Sequence, residues 1–284
     1  MTEAPRPAEA PRMRLRHLRW LAPRAVIAYS LLVLAGALFL GWPLLVPGLV
    51  ALFLIAFMVD AFARPASNLF YPTLTHGPRG GKRVALSFDD GPDPEETPAV
   101  LDVLAEFRAK GSFFVIGKSL ATQPTLARRM LAEGHVLGNH SWQHSPWQNF
   151  YLTKRHSEEM ARCEEAIAKL TGTGNQALYR PPVGLKSPEL GRAAWKRGLT
   201  LVAWSVHSRD TFDRDPGSIA RRVLRRVQDG DIILLHDGHH VPGGQRRHCA
   251  DALRLILEGL RDKGFECVTV PELLGLPPEG ARRT

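Results

Sequence analysis

Ser87-Phe88-Asp89-Asp90-Gly91-Pro92 closes an apolar run, and His140-Ser141-Trp142-Gln143-His144 follows further along the chain. Two adjacent acids at a strand end and two histidines four apart offer an Asp/His/His ligand set plus one spare carboxylate. A catalytic zinc site keeps about three protein ligands and leaves a position open to water. The spare carboxylate can then take the proton from that water. The chemistry on offer is metal-assisted hydrolysis. Alone, Asp-Asp-Gly-Pro is an ordinary turn sequence, and HxxxH places two imidazoles on one helical face, as many surface pairs do. Their order on successive strand ends is what carries weight.

More candidates follow in the same order. Arg180-Pro181-Pro182-Val183-Gly184 puts a cation in a loop stiffened by proline. Trp204 and Asp210 lie on and after a fifth strand, and Leu234-Leu235-His236-Asp237 ends a sixth with a histidine.

The elements that must position these groups alternate. Apolar runs predict strands at Arg83–Phe88, Ser112–Ile116, His135–Gly138, Ala177–Tyr179, Thr200–Ser205, Asp231–Leu235 and Glu266–Val270. Amphipathic patterns predict helices near 98–109, 124–133, 156–170, 188–197, 216–228 and 248–263. Thr97-Pro98 reads as a helix N-cap followed by proline at the first helical position. Gly111, Gly134, Gly172, Gly198 and Gly264 each fall just past a helix, where a left-handed cap is wanted. Strand and helix in alternation imply a mainly parallel sheet covered by helices. Functional groups then gather at the carboxyl ends of the strands.

Together these motifs, from about Arg83 to Leu274, closely resemble the polysaccharide deacetylases of the NodB-homology type, carbohydrate esterase family 4. The resemblance implies a distorted (β/α) barrel of about seven parallel strands that hydrolyses N-acetyl groups on amino sugars. By matching position it makes Asp89 the general base and Asp90, His140 and His144 the metal ligands. Arg180 would hold Asp89, and His236 would be the general acid, paired with Asp210. Trp204 and Leu234 would wall the acetyl pocket beside Pro182, and the Val183 backbone N–H would meet the oxyanion. The implied metal is zinc, with cobalt, nickel or manganese also fitting such a donor set. Three positions depart from the family pattern. Val183 replaces an aromatic, Thr211 follows Asp210 where tryptophan is common, and His207 stands where many members carry aspartate.

The first sixty-odd residues differ in composition. A tail over 1–24 carries Arg6, Arg12, Arg14, Arg16, Arg19 and Arg24, and no charge occurs over the 35 residues from Ala25 to Val59. One helical span needs about 20 apolar residues, and Gly41-Trp42-Pro43 interrupts the run. The expectation is a transmembrane helical hairpin over 25–63, then a linker over 64–80, a catalytic domain over 81–276 and a tail over 277–284. The basic flanks would place that domain on the cytoplasmic side of a bacterial inner membrane, near an N-acylated glycolipid. A single signal anchor would instead put it in the periplasm, against peptidoglycan or exopolysaccharide. Further alternatives are deformylation of a lipid-linked amino sugar and an inactive glycan-binding scaffold.

The net charge of +9 does not imply nucleic acid. The basic residues outside the tail are spread over helices, with no interleaved aromatics or binding motif. Cys163, Cys249 and Cys267 are too few and too widely spaced for a disulfide framework or a zinc finger. His239 and His240, in a Gly/Pro loop, read as solvated.

Overall fold

A computed structural model describes residues 45–145, 147–172, 177–238 and 248–276, with 28, 30–33 and 35–36. The chain divides into two compact units, Met1–Ala61 and Phe62–Thr284.

The expected hairpin is corrected. The described part of 25–63 holds the helix Leu45–Ala63 and helical residues at 28, 30–33 and 35–36, and among the described residues no helix is long and apolar enough to cross a membrane. Pro47 and Gly48 near the start of Leu45–Ala63 and Asp60 near its end leave only Leu49–Val59 free of breakers and charge. Counting uncharged residues overstated the usable apolar length. The Gly41-Trp42-Pro43 break, the arginine tail, and His239 and His240 lie outside the described residues.

Among the described residues, the second unit is built on nine strands. In chain order these are β1 Thr73–Leu74, β2 Arg83–Asp89, β3 Gly111–Val115, β4 Val136–Asn139, β5 Leu178–Tyr179, β6 Thr200–Val202, β7 Val206–His207, β8 Ile232–His236 and β9 Glu266–Val268. Their order is β1-β6-β5-β4-β3-β2-β8-β7, with β9 also on β2, and every named pair is parallel. The strand expected at Thr200–Ser205 stops at Val202 as β6, and the chain resumes as β7 at Val206; the two lie near opposite ends of this path. Only three residues separate them, a span of at most about 14 Å. The sheet must therefore curl until its ends meet, as a distorted half-barrel. Ser205 N–H donating to Ile232 O at 3.1 Å and the His76–Asp231 bridge tie the seam.

Alternation along β2 decides which side chains reach the interior. Val84, Leu86 and Phe88 enter the cluster shared with the outer helices. Ala85 faces the other way, into a small inner cluster with Phe114, Leu178, Val202 and Ile232. Ser87 and Asp89 share that inward side. The bottom of the barrel is plugged by the short Val270–Leu274 helix. Its Val270 and Leu273 join the inner cluster, and Thr269 and Glu272 form its capping box. Among the described residues, the inner face is thus apolar toward that end, and its polar groups gather at the other.

Two local expectations differ. Gly134, Gly172, Gly198 and Gly264 are left-handed as expected, but Gly111 is not; Arg108 takes the left-handed turn instead. Gly111 opens β3, where an added Cβ would lie 2.9 Å from the Phe88 ring. Thr97 does not cap its helix, which begins at Glu96. Asp93 Oδ1 accepts from the Glu95 and Glu96 amides, and the Thr97 hydroxyl donates to Asp237 Oδ2 at 2.7 Å.

Candidate active site

Strand register brings the candidates level. Asp89 is paired with Phe114 on one side and His236 on the other, while Val115 is paired with Asn139 and Asn139 with Tyr179. His140 and Arg180, each one residue beyond its strand, therefore open onto the mouth that Asp89 faces. Consecutive residues in an extended strand point to opposite sides. Asp90 escapes that rule by leaving β2 with a left-handed φ of 75°, a conformation aspartate tolerates better than most residues. Both carboxylates then approach one imidazole: His140 Nε2 is 3.7 Å from Asp89 Oδ2 and 3.6 Å from Asp90 Oδ1.

His140 and His144 do not share a helix. They lie on a loop in which Ser141 and His144 adopt φ of 69° and 49°. Side chains hold it in that shape. Asn139 Oδ1 accepts from the Ser141 amide at 2.8 Å, Ser141 Oγ from the His144 amide at 3.1 Å, and Glu159 from the Gln143 amide at 3.0 Å. His144 Nε2 sits 3.3 Å from Asp90 Oδ1. Asp90, His140 and His144 each present a ligand atom, all within 4.8 Å of one another and all buried. The tautomer of His140 follows from its partner: Nδ1 lies 2.8 Å from Arg180 O, which can only accept. Nδ1 carries the proton, and Nε2 turns its lone pair toward the carboxylates. Second-sphere contacts of this kind orient histidine ligands. The donor set therefore fits a divalent metal.

Arg180 is wholly buried. Its Nη1 donates to Asp89 Oδ1 at 2.7 Å and to Ser87 Oγ at 3.0 Å, Nη2 to Ala203 O at 3.0 Å, and its guanidinium lies 3.9 Å from the Phe114 ring centre. Burial pulls its pKa down, and the Asp89 carboxylate opposes that pull. On the far side of Asp89, His236 Nδ1 donates to Asp210 Oδ1 at 2.7 Å and its amide to Asp210 Oδ2 at 2.8 Å. Burial disfavours the imidazolium, but Asp210, with Asp90 and Asp89 adding, outweighs it and raises the His236 pKa to about 9. Burial likewise works against the Asp210 charge, and the His236 contacts win, holding its pKa below the usual value.

A family model described as polysaccharide deacetylase matches residues 76–202. A chitooligosaccharide deacetylase of Bradyrhizobium is 37% identical over 203 residues, covering 68% of this chain and 91% of that protein. A peptidoglycan-N-acetylglucosamine deacetylase of Bacillus cereus is 36% identical over 201 residues, covering 69% and 90%. The chain belongs to the polysaccharide deacetylase family. A longer relative, the peptidoglycan-N-acetylglucosamine deacetylase of Listeria monocytogenes, is 37% identical over 198 residues, and the match spans only 39% of its length. The fold agrees: a crystallised peptidoglycan N-acetylglucosamine deacetylase superposes with a TM-score of 0.68 at 30% identity, covering 78% of this chain and 98% of that one.

The remaining family positions surround the same mouth. Trp204 lies against Gly184, where an added Cβ would meet the indole at 2.5 Å, and 5.7 Å from the Arg180 guanidinium. Leu234 is buried on β8, in register with Ser87. Pro182 is buried, while Val183 is exposed with a φ of 59°, an outlier for a β-branched side chain. His207 on β7 stands 5.5 Å from the Trp204 ring and 6.2 Å from that of His236. Its Nδ1 accepts from the Arg209 amide at 2.9 Å.

Sequence reasoning missed the groups that brace these residues. Ser208 Oγ donates to Asp210 Oδ1 at 2.9 Å. Asp237, beside His236, is buried against Gly91, and its amide donates to Asp89 O at 3.1 Å. Asp237 follows His236 directly in the chain, and that adjacency was the one available signal.

Proposed function

We propose that this chain is a metal-dependent N-deacetylase acting on an amino-sugar glycan. The buried trio Asp90, His140 and His144 beside a guanidinium-held Asp89 carries the reading. Family membership supports it, as do relatives whose names specify chitooligosaccharide and peptidoglycan N-acetylglucosamine deacetylation.

Asp90, His140 and His144 would hold the cation. A divalent metal supplies Lewis acidity, polarising an acyl oxygen and making water more acidic. Asp89 is the general base. The Arg180 guanidinium fixes one of its oxygens, so Oδ2 faces the mouth, 3.7 Å from His140 Nε2. Addition of water to the amide places charge on the carbonyl oxygen, and a fixed backbone donor, the Val183 N–H, would stabilise it. An amine departs only once protonated. His236, kept charged by Asp210, is placed to give that proton. Trp204 and Leu234 shield the acyl group from water.

Acetate release from N-acetylglucosamine oligomers and from peptidoglycan, by zinc-loaded and chelator-treated protein, tests the reading. Metal-dependent release is expected. D89N should lower kcat by at least about a hundredfold while metal content stays at the wild-type level. Full activity in D89N would sink the assignment of the base.

A further inference from the structure

Strand alternation places His207 inside the barrel. Val206, Ile233 and Leu235 enter the outer core cluster, so His207 and Leu234, paired in register, face the interior. Leu234 is level with Ser87, the inward position before Asp89 on β2. His207 therefore stands at the depth of Leu234, below the level of Asp89 and His236. Its ring centre is 5.5 Å from that of Trp204, steeply inclined at 79°, and 6.2 Å from that of His236. Trp204 and Leu234 are the residues that shield the acyl group in the proposed mechanism, so His207 belongs to the same wall.

Its protonation gives that wall a polar preference. Nδ1 accepts from the Arg209 amide at 2.9 Å, so the proton of the neutral ring sits on Nε2. Burial first, and then the His236 charge, pull the His207 pKa down against Asp210 and Asp89, which favours the neutral ring. The ring is half-buried, and Nε2 has no hydrogen-bond partner among the described residues. An acyl group that covers this donor without accepting from it leaves it unpaired, which costs binding energy. An acetyl methyl cannot accept. A hydroxyacetyl group fills the same apolar wall and carries an acceptor oxygen where acetyl ends in hydrogen.

We infer that the acyl pocket takes hydroxyacetyl (glycolyl) groups, with His207 Nε2–H donating to the acyl hydroxyl oxygen. The enzyme then removes N-glycolyl as well as N-acetyl groups from amino sugars. The inference rests on the deacetylase reading and deepens it by naming the acyl group. Atoms balance as they do for acetyl. Asp89 takes a proton from water, whose oxygen bonds to the acyl carbon. The C–N bond breaks, His236 gives its proton to the amine, and glycolate leaves in place of acetate.

The test uses the full chain, zinc-loaded for kinetics and metal-free for binding. The probes are glucosamine tetrasaccharides bearing N-acetyl, N-glycolyl or N-propionyl groups; propionyl matches glycolyl in size but offers no acceptor. Wild type should release glycolate, with kcat/KM about tenfold above that for propionate. H207F should abolish this preference and H207Q, whose amide can donate, should recover part of it; comparison within each variant removes the intrinsic reactivity of the two amides. Calorimetric titration of metal-free wild type should show the same order of affinity. If wild type releases no acid from any probe, the deacetylase reading fails, and the titration still reads the pocket. Equal handling of glycolyl and propionyl by wild type overturns the inference, as does a glycolyl preference that persists undiminished in H207F.

Discussion

Asp90, His140 and His144 differ in how they are held, and their variants should differ accordingly. His140 is oriented through Nδ1 by the Arg180 carbonyl, while His144 is positioned through its backbone by Ser141. Removing either imidazole leaves two ligands. Zinc bound per chain, measured by atomic emission after dialysis, should fall well below one in H140A and in H144A; full occupancy would refute their role. Asp210 meets His236 in a hydrogen bond of 2.7 Å, and in the proposed mechanism it acts through that imidazole rather than on substrate. Burial alone would lower the His236 pKa, and Asp210 raises it to about 9. The acid must be protonated to work, so activity should fall as pH rises through that region. D210N should move the alkaline limb of the kcat/KM profile to lower pH. A limb left in place would remove His236 from the role of acid.

At the scale of elements, the site depends on strands that end level and on loops bent where local preference would not bend them. Asp90, Ser141, His144 and Val183 all take left-handed backbone angles, each costing free energy that the surrounding hydrogen bonds offset. Gly111 shows a different constraint. It has an ordinary backbone, but an added Cβ would meet the Phe88 ring at 2.9 Å, on the strand that carries Asp89. G111A should destabilise by about 1–3 kcal/mol, the usual cost of overpacking. The urea midpoint would report this, and an unshifted midpoint would show that β2 and β3 give way freely.

For the whole molecule, two buried histidines lower stability on the acid side, opposed in part by buried Asp237, whose pKa burial raises to about 7. His135 and His156 are buried, and burial lowers the pKa of each from 6.5 to about 4. Between those values the unfolded chain binds more protons than the folded one. Their contribution is present above pH 6.5 and is lost as pH falls toward 4. The urea midpoint should therefore drop across this window. His156 has neither ring nitrogen hydrogen-bonded among the described residues, so H156L should flatten the drop; an unchanged slope would remove His156 as a contributor.

Much of this was legible in the residues themselves. The apolar runs of β2, β3 and β8 are long enough to show as strands. Asp89, His140, Arg180 and His236 follow one another at strand ends because a parallel sheet presents all its carboxyl ends together. β1 and β7 were not legible, since two residues carry no periodicity and those strands exist only by pairing with β6 and β8. The break inside 200–207 is a consequence of closing the curl. The four-residue spacing of His140 and His144 suggested a helix, yet the loop is fixed by Asn139 and Glu159, contacts invisible to local pattern. Uncharged composition over 25–59 suggested two membrane spans, and the described helix breaks that reading through Pro47, Gly48 and Asp60. The sequence by itself determined which chemical groups stand at which strand ends, because side-chain period and strand order are local and cumulative. Tertiary structure alone decided that Asp89 and Asp90 face one imidazole and that Asp210 meets His236, because left-handed turns and long-range pairings draw their stability from contacts far apart in the chain.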